Sequence, residues 1–142
     1  MIGRICQREV DTADMGESVR YAAERMHQRS VGSLVTKRPV GIVTDRDLVT
    51  RVLAAHLDPE TTAIQEVMTS TPSTINEHEP IESALKKMRK GPFRRLPVVD
   101  DQDVLVGMVS VDDIFNLLVE EFMDIGELLK RETPRAAAHS RL

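Results

Sequence analysis

Two copies of one short motif combine residue types that can bind a charged, hydroxyl-bearing ligand. The first copy, GIVTDRD, occupies residues 41–47, and the second, GMVSVDD, occupies residues 107–113. In each copy an apolar run ends at a hydroxyl residue, and a carboxylate follows three residues later. This pattern predicts a strand that ends where a helix begins.

A hydroxyl and a carboxylate at the start of a helix admit two interpretations. In the first, Thr44 and Ser110 cap free backbone N–H groups while Asp47 and Asp113 occupy the third helical position, which is a structural role. In the second, the unpaired N–H groups and the partial positive charge of the helix end bind a phosphate, to which the hydroxyl also donates. The carboxylate then accepts hydrogen bonds from both hydroxyls of a ribose. Two copies in register favour the second interpretation.

Neighbouring residues of each motif can complete such a site. Gly41 and Gly107 leave room for a ligand against the strand. Ile42 and Met108 can supply an apolar wall for a planar base. Both copies thus contain the parts of a nucleotide site.

Three arginines are candidate phosphate contacts. Arg46 lies at the start of the first helix, where the second copy has Asp112, a residue that would repel a phosphate. Arg94 and Arg95 immediately precede residues 96–98, a segment expected to line a cleft, and they can reach across the pair of repeats. A polyphosphate is therefore expected to prefer the Arg46 side.

The two motifs lie within a longer internal repeat. Residues 18–26 align with residues 80–88 at a shift of 62, and both segments have apolar side chains at positions i, i+3, i+4 and i+7, which predicts a helix. A hairpin is predicted after each helix, because short apolar runs are separated by turn residues. A second amphipathic helix follows each motif. A short lead strand is expected before each first helix, near Val10 and near Thr74 and Ile75.

The predicted fold class is α+β, with two pseudo-symmetric β-α-β-β-α repeats packed face to face and an extra C-terminal helix or tail. The predicted boundaries are 1–57 for the first repeat, 58–70 for a connecting segment, 71–124 for the second repeat and 125–142 for a C-terminal extension. Within the connecting segment, Thr62 and Gln65 resemble a capping box that opens a short helix. A unit of about sixty residues is marginally stable alone, so we expect the repeats to stabilise each other.

Composition excludes several classes of protein. The chain has 142 residues, 41% of them hydrophobic, and its apolar runs are far shorter than the roughly twenty residues of a membrane-spanning helix. No secretory signal opens the chain, so the protein is expected in the cytoplasm. A net charge of −4 and 3% aromatic residues argue against nucleic-acid binding. The single Cys6 excludes an internal disulfide, and no cysteine or histidine spacing indicates a metal site.

Together these features resemble a tandem pair of cystathionine beta-synthase (CBS) domains, also called a Bateman module, over residues 1–124. The resemblance implies a stand-alone regulatory sensor without catalytic activity, whose two clefts bind an adenosine-containing ligand: AMP, ADP, ATP, S-adenosylmethionine or a NAD-type molecule. It implies Asp47 and Asp113 as ribose ligands and Thr44 and Ser110 as phosphate contacts. The residues implied around the base are Val10, Thr12, Leu34, Thr74, Ile75 and Pro97.

The resemblance also implies a homodimer in which the helices after the motifs pack two modules together, and an unidentified protein target that reads the bound state. An apolar stripe continues past the second repeat and indicates a surface for a partner. This stripe comprises Phe115, Leu118, Val119, Phe122, Met123, Ile125, Leu128 and Leu129. Gly126 is expected to interrupt the helix, and residues 136–142 are expected to form a frayed tail.

Three other functions stay open. A constitutive scaffold with empty clefts would use the same repeats without a ligand. An enzyme is disfavoured, because no two of the seven glycines lie within three residues of each other, which excludes a Rossmann fingerprint and a P-loop. Nucleic-acid binding through the cations of residues 86–95 would show a steep salt dependence.

Overall fold

The computed structural model describes residues 1–38, 40–70, 72–91 and 93–140, with side chains described as far as residue 131. The elements are a 3-10 turn (Ile2–Arg4), α1 (Val19–Arg29), β1 (Ser33–Lys37), β2 (Val40–Thr44), α2 (Asp45–Asp47) with a π-helical continuation (Leu48–Leu53), α3 (Ile64–Val67), β3 (Ile75–Asn76), α4 (Ile81–Lys90), β4 (Arg95–Val99), β5 (Leu105–Ser110) and α5 (Val111–Ser140). The order helix, hairpin and helix occurs twice, which confirms the predicted α+β class.

The helices α1 and α4 are the repeated helices that the spacing predicts. Val19, Ala22 and Met26 form the buried face of α1. Ala84 and Met88 form the buried face of α4. Each helix packs on the hairpin that follows it, α1 on β1 and α4 on β4. The apolar periodicity therefore marks the face that covers the sheet.

The two hairpins form separate sheets of unequal size. β1 pairs antiparallel with β2, and β4 pairs antiparallel with β5. β3 adds a parallel strand beside β4. In the first repeat the lead strand expected near Val10 is reduced to one parallel bridge between Thr12 and Val35, where the Val35 N–H donates to the Asp11 carbonyl at 3.1 Å.

Each repeat contains an apolar core, and the two cores exchange segments. The first core combines buried residues of α1, β1 and β2 with Ile64, Val67 and Met68, which lead into the second repeat. The second core combines buried residues of α4, β4 and β5 with Ile2 from the start of the chain. Because each core is completed by the leading segment of the other repeat, neither repeat buries its apolar face alone.

The connecting helix begins later than the capping pattern predicts. α3 starts at Ile64, and Glu66 rather than Gln65 closes the cap, since its Oε2 accepts a hydrogen bond from the Ala63 N–H at 2.6 Å. Thr62 is buried, and its carbonyl accepts a hydrogen bond from the first N–H of α1 at 2.9 Å. Contact with the first repeat therefore decides where α3 begins.

The C-terminal helix α5 is longer than the sequence predicts. It runs without interruption from Val111 to Ser140, so the expected break at Gly126 is wrong. One glycine costs a helix only about 1 kcal/mol relative to alanine, and its neighbours are good helix formers. The expected tail is helical as far as Ser140, and residues 141–142 lie outside the described residues. Among the described helices, none combines the length and apolar character needed to cross a bilayer.

Candidate functional site

Both motifs form the capping arrangement of the first interpretation. The Asp47 N–H donates to Thr44 Oγ1 at 3.1 Å, and the Thr44 N–H donates to Asp47 Oδ2 at 2.9 Å. The Asp113 N–H donates to Ser110 Oγ at 3.1 Å, and the Ser110 N–H donates to Asp113 Oδ2 at 2.9 Å. Each cap uses one carboxylate oxygen. The second oxygen, Oδ1, is not part of the cap, so capping and ligand binding are compatible roles.

The N-terminus of α2 offers fewer free N–H groups than the motif predicts. The Asp45 N–H donates to the Gly32 carbonyl at 2.9 Å, and the Arg46 N–H donates to Asp45 Oδ1 at 2.8 Å. The Asp47 N–H is bound by Thr44 Oγ1. The first three N–H groups of α2 thus have partners within the protein. A phosphate beside α2 has to be bound by side chains, which corrects the expectation that the bare helix end binds it.

A cavity of about 340 Å³ opens between the repeats beside the first motif. Ile42, Thr44 and Asp47 line it from the first repeat. The lining residues beyond the first repeat are Thr69, Pro72, Ser73, Phe93 and Arg95. The volume lies in the range of small-molecule sites. We call this cavity the first cleft.

Backbone pairing and an arginine hold the walls of the first cleft. The Ile42 N–H donates to the Thr69 carbonyl at 3.0 Å, and the Thr69 N–H donates to the Ile42 carbonyl at 2.8 Å. Arg51 Nε lies 3.7 Å from Asp47 Oδ1, while Arg51 Nη1 donates to the Val67 carbonyl at 2.8 Å. The Asp47 side chain is 17% exposed. Asp47 is therefore both oriented by the protein and accessible from the cleft.

The second motif faces the N-terminal segment in a similar way. The Gln7 N–H donates to the Met108 carbonyl at 2.8 Å, and the Met108 N–H donates to the Gln7 carbonyl at 2.9 Å. The Gln7 side chain also reaches the motif carboxylate, because its Nε2 donates to Asp113 Oδ1 at 3.2 Å. Both oxygens of Asp113 thus have partners within the protein. We call the space between Gln7 and residues 108–113 the second cleft.

Two lining residues of the first cleft differ in charge from the residues at the corresponding repeat positions. Arg95, the first residue of β4, lines the first cleft, and its counterpart at the start of β1 is Ser33. Ser73 of the first cleft corresponds, at the repeat shift, to Asp11, whose Oδ1 lies 3.7 Å from Arg29 Nε. By the repeat alignment, the positions that correspond to Arg95 and Ser73 of the first cleft are therefore a serine and a carboxylate.

The motif glycines make room for protein rather than for a ligand. A Cβ atom on Gly41 would lie 2.7 Å from Met68 Sδ. A Cβ atom on Gly107 would lie 2.7 Å from the Gln7 carbonyl oxygen and 2.9 Å from Cys6 Sγ. Both distances are shorter than van der Waals contact. The expected space for a ligand beside the glycines is thus filled by the leading segment of the other repeat.

Three of the residues expected to form the wall around the base are buried. Leu34, Ile75 and Pro97 are each less than 2% exposed. Leu34 belongs to the first core and Ile75 to the second, and Pro97 is fully buried, so these side chains do not face an open cleft. Ile42, by contrast, lines the first cleft.

The other residues expected around the base are dispersed. Thr12 lines a separate cavity beside Lys37. Thr74 lines a recess with Lys90. Val10 and Met108 are partly exposed, and the Met108 backbone is paired with the N-terminal segment. These four residues are therefore not among the lining residues of the first cleft.

The three candidate arginines occupy different places. Arg95 lines the first cleft. Arg94 Nη2 lies 3.6 Å from Asp112 Oδ1, and both side chains are more than 70% exposed. The predicted repulsion by Asp112 is thus offset by Arg94. Arg46 is exposed and is not among the lining residues of the first cleft. Its position therefore does not support the expectation that a polyphosphate prefers the Arg46 side.

Four lining residues of the first cleft were not predicted: Thr69, Pro72, Ser73 and Phe93. A signal for them exists in the sequence, because residues 2–7 align with residues 64–69 at the shift of 62 that relates the first helices. This longer repeat would have identified residues 69–73 as a leading segment. Which motif that segment faces is not encoded in the alignment.

The single thiol has no arrangement suited to nucleophilic chemistry. Burial raises the pKa of the Cys6 thiol above its ordinary value, and Cys6 Sγ donates to the Gly3 carbonyl at 3.7 Å. A protonated thiol is a weak nucleophile. Within the described part of the chain, no group of three histidine, cysteine or acidic side chains is arranged to hold a metal ion.

The comparisons with known proteins identify the family. The CBS domain model matches residues 2–54 and residues 64–120. The chain belongs to the CBS domain family. The two matches begin at the two leading segments that exchange between the cores.

Relatives of this CBS pair include curated proteins and solved structures. The chain is 32% identical over 126 residues to the uncharacterized protein MK0525 of Methanopyrus kandleri, a match that covers 86% of the chain and 63% of the relative. It spans only 18% of another relative, the Arabidopsis thaliana protein CBSCBSPB2. The chain is thus shorter than the curated relatives it first matches.

Three solved CBS proteins resemble the fold closely. The Pyrobaculum aerophilum protein PAE2072, complexed with AMP, has a TM-score of 0.68 and 28% identity, with 79% of this chain and 88% of that chain covered. The CBS pair of MJ0100, in complex with 5′-methylthioadenosine and S-adenosyl-L-methionine, has a TM-score of 0.68 and 29% identity, with 83% and 98% covered. A hexameric CBS-CP12 protein from bloom-forming cyanobacteria has a TM-score of 0.67 and 27% identity, with 98% and 86% covered.

Proposed function

We propose that this protein is a non-catalytic regulatory module that binds an adenosine-containing ligand in its first cleft. The observation that carries the proposal is the convergence of Asp47, Thr44 and Arg95 on one cavity between the repeats. A carboxylate, a hydroxyl and a guanidinium at an apolar wall are the groups that a ribose, a phosphate and a base require. The AMP complex of PAE2072 and the S-adenosylmethionine complex of MJ0100 support this ligand class.

Each polar group has a separate role in this proposal. Asp47 Oδ1 accepts hydrogen bonds from the ribose hydroxyls, while Oδ2 stays in the cap. The Thr44 hydroxyl accepts from the Asp47 N–H and still has its proton to donate to a phosphate oxygen. Arg95 provides the charge-assisted contact that the occupied N-terminus of α2 lacks. Ile42, Pro72 and Phe93 cover the base.

The charge of the first cleft favours a phosphate-bearing ligand. Arg95 attracts the phosphate of AMP, ADP, ATP or a NAD-type molecule. The same guanidinium repels the sulfonium of S-adenosylmethionine. Among the adenosine compounds considered, we therefore expect those with phosphate to bind more tightly than S-adenosylmethionine.

Ligand binding across two repeats gives a route to regulation. Asp47 belongs to the first repeat and Arg95 to the second, so one ligand contacts both. Binding therefore stabilises the relative arrangement of the repeats that suits the ligand, by no more than its differential affinity for the alternatives. A protein target that contacts both repeats would read this arrangement.

We also propose that two copies associate through the helices after the motifs. Val49 and Leu53 after the first motif are 55% and 74% exposed. On α5, eight apolar side chains are each at least 39% exposed: Phe115, Leu118, Val119, Phe122, Met123, Ile125, Leu128 and Leu129. Eight exposed apolar side chains on one helix form the kind of surface that marks a protein interface.

A ligand screen tests the binding proposal. Each adenosine compound is added to the purified full chain at millimolar concentration, and thermal unfolding is followed. A ligand present at one hundred times its Kd stabilises the protein by about 2.7 kcal/mol, which raises the Tm of a chain of this size by roughly 5–10 °C. Absence of a shift with every compound would favour the scaffold with empty clefts.

The mass of the assembly tests the association proposal. We expect a mass of twice 15.9 kDa by light scattering, and a shift toward a single chain for Phe122→Glu, which places a charge in the apolar surface. Glu127→Gln is the matched control on an exposed α5 position and should keep the assembled mass. An unchanged mass for Phe122→Glu would exclude that part of α5 from the interface.

A further inference from the structure

Gln7 competes with a ligand for the carboxylate of the second cleft. Asp113 Oδ2 already accepts from the Ser110 N–H at 2.9 Å, and Asp113 Oδ1 accepts from Gln7 Nε2 at 3.2 Å. A ribose bound as proposed for the first cleft would need Oδ1. It would therefore have to displace the Gln7 amide before it could form its own hydrogen bonds.

The Gln7 backbone is held in place, so displacement requires rotation of its side chain. Two backbone hydrogen bonds of 2.8 and 2.9 Å join Gln7 to Met108. The Gln7 carbonyl lies against Gly107, where even a Cβ atom would come within 2.7 Å. The side chain itself is exposed. The Gln7 amide can therefore rotate away from Asp113, but it stays close because its backbone is fixed beside the motif.

The equivalent residue of the first cleft leaves its carboxylate accessible. Thr69 occupies the position related to Gln7 by the repeat shift, and it pairs with Ile42 as Gln7 pairs with Met108. Its side chain is two atoms shorter along the chain, and the cleft beside it retains Asp47 in its lining. Asp113 Oδ1 therefore accepts a hydrogen bond from an amide, whereas Asp47 Oδ1 faces Arg51 Nε at 3.7 Å, beyond hydrogen-bond distance, and Asp47 stays in the lining of the first cleft.

We propose that Gln7 closes the second cleft, so that each chain binds one adenosine ligand, in the first cleft; this inference rests on the proposed function. Loss of one hydrogen bond to a charged group corresponds to about a tenfold change in affinity. The repeat position of Arg95 is Ser33, so we expect the second cleft to lack one charge-assisted phosphate contact, which is about another tenfold. We expect the second cleft to bind roughly a hundredfold more weakly than the first.

Reciprocal exchange of the two residues tests the proposal by calorimetry with AMP on the full chain. Wild type should bind one AMP per chain. The Gln7→Thr and Ser33→Arg double variant should bind two, and each single variant should strengthen the second site by about tenfold. Thr69→Gln should weaken the first site by about tenfold, because the amide can then reach Asp47.

The outcomes separate this inference from the proposed function. Two AMP molecules per wild-type chain, or one per chain in the double variant with an unchanged Tm, would overturn the closure by Gln7 while leaving the first cleft as a site. No AMP binding by wild type, with binding gained by the double variant, would overturn the assignment to the first cleft and support closure of the second. An Asp47→Asn background isolates the second site, where Gln7→Thr should still increase AMP affinity.

Discussion

The two clefts begin from the same motif and differ in the segment that faces it. In the first cleft, Thr69 pairs with the motif strand and leaves Asp47 accessible beside Arg95. In the second, Gln7 makes the same backbone pairing but donates to Asp113 Oδ1. The hydroxyl and the carboxylate are therefore equivalent in both copies, while their availability to a ligand is not.

This difference shows that a duplicated motif does not guarantee a duplicated site. The motif residues serve the fold in both repeats, because each pair caps the helix that follows it. Capping alone explains why both copies contain a hydroxyl and an acid. Binding requires further groups from the facing segment, and those groups are free to differ between the repeats.

Removing the first carboxylate should have the largest effect on binding. Asp47→Asn keeps an oxygen that can accept the Thr44 N–H but loses the negative charge that the proposed function assigns to ribose binding. Affinity for AMP should fall by about ten- to a hundredfold, equivalent to the 1.5–3 kcal/mol of a charge-assisted hydrogen bond. Asp113→Asn is the matched control and should change AMP affinity less than twofold by calorimetry. Equal losses in both variants would show that the two clefts are equivalent.

Replacing each motif glycine with alanine should lower the free energy of unfolding by a different amount in the two repeats. In Gly107→Ala the new methyl group meets the Gln7 carbonyl, which is backbone, so the chain must shift at a cost of about 1–3 kcal/mol. In Gly41→Ala it meets Met68 Sδ, a flexible side chain that can rotate away, and the cost should be below about 1 kcal/mol. Chemical denaturation measures both free energies of unfolding. A larger loss for Gly41→Ala would contradict the difference in packing.

Removing the cation of the first cleft should have a smaller and more selective effect. Arg95→Ala should weaken AMP binding by about tenfold through loss of one phosphate contact, while adenosine, which has no phosphate, should bind as before. Arg94→Ala is the control, because Arg94 pairs with Asp112 outside the first cleft. If adenosine and AMP lost affinity equally, Arg95 would act on the shape of the cleft rather than on the phosphate.

Much of the fold could be predicted, because its signals are local. The apolar spacing of residues 18–26 and 80–88 predicts helices, and the structure has α1 and α4 there. The caps at Thr44 and Ser110 were also predictable from residue type and position. The break at Gly126 was wrong, since the cost of one glycine is smaller than the combined preference of its neighbours.

The site was harder to predict than the fold. Ile42, Thr44, Asp47 and Arg95 are among the expected residues and lie together in the first cleft. Leu34, Ile75 and Pro97 were expected around the base in the two clefts and are each less than 2% exposed. The order of residues along a strand indicates which side chains share a face of the sheet. It does not indicate which of the two faces another layer of the protein covers.

The sequence by itself determined two repeats, each with a capped helix after a hairpin, because periodicity and capping act within a few residues along the chain. Contacts between parts of the chain that are distant in sequence place the first motif against Thr69, Pro72 and Ser73 and the second against Gln7, which is 106 residues from Asp113. The exchange of leading segments between the cores brings these parts together. Local sequence patterns do not indicate which distant segments will pair. The difference between an accessible cleft and an occupied one therefore arises only in the folded chain.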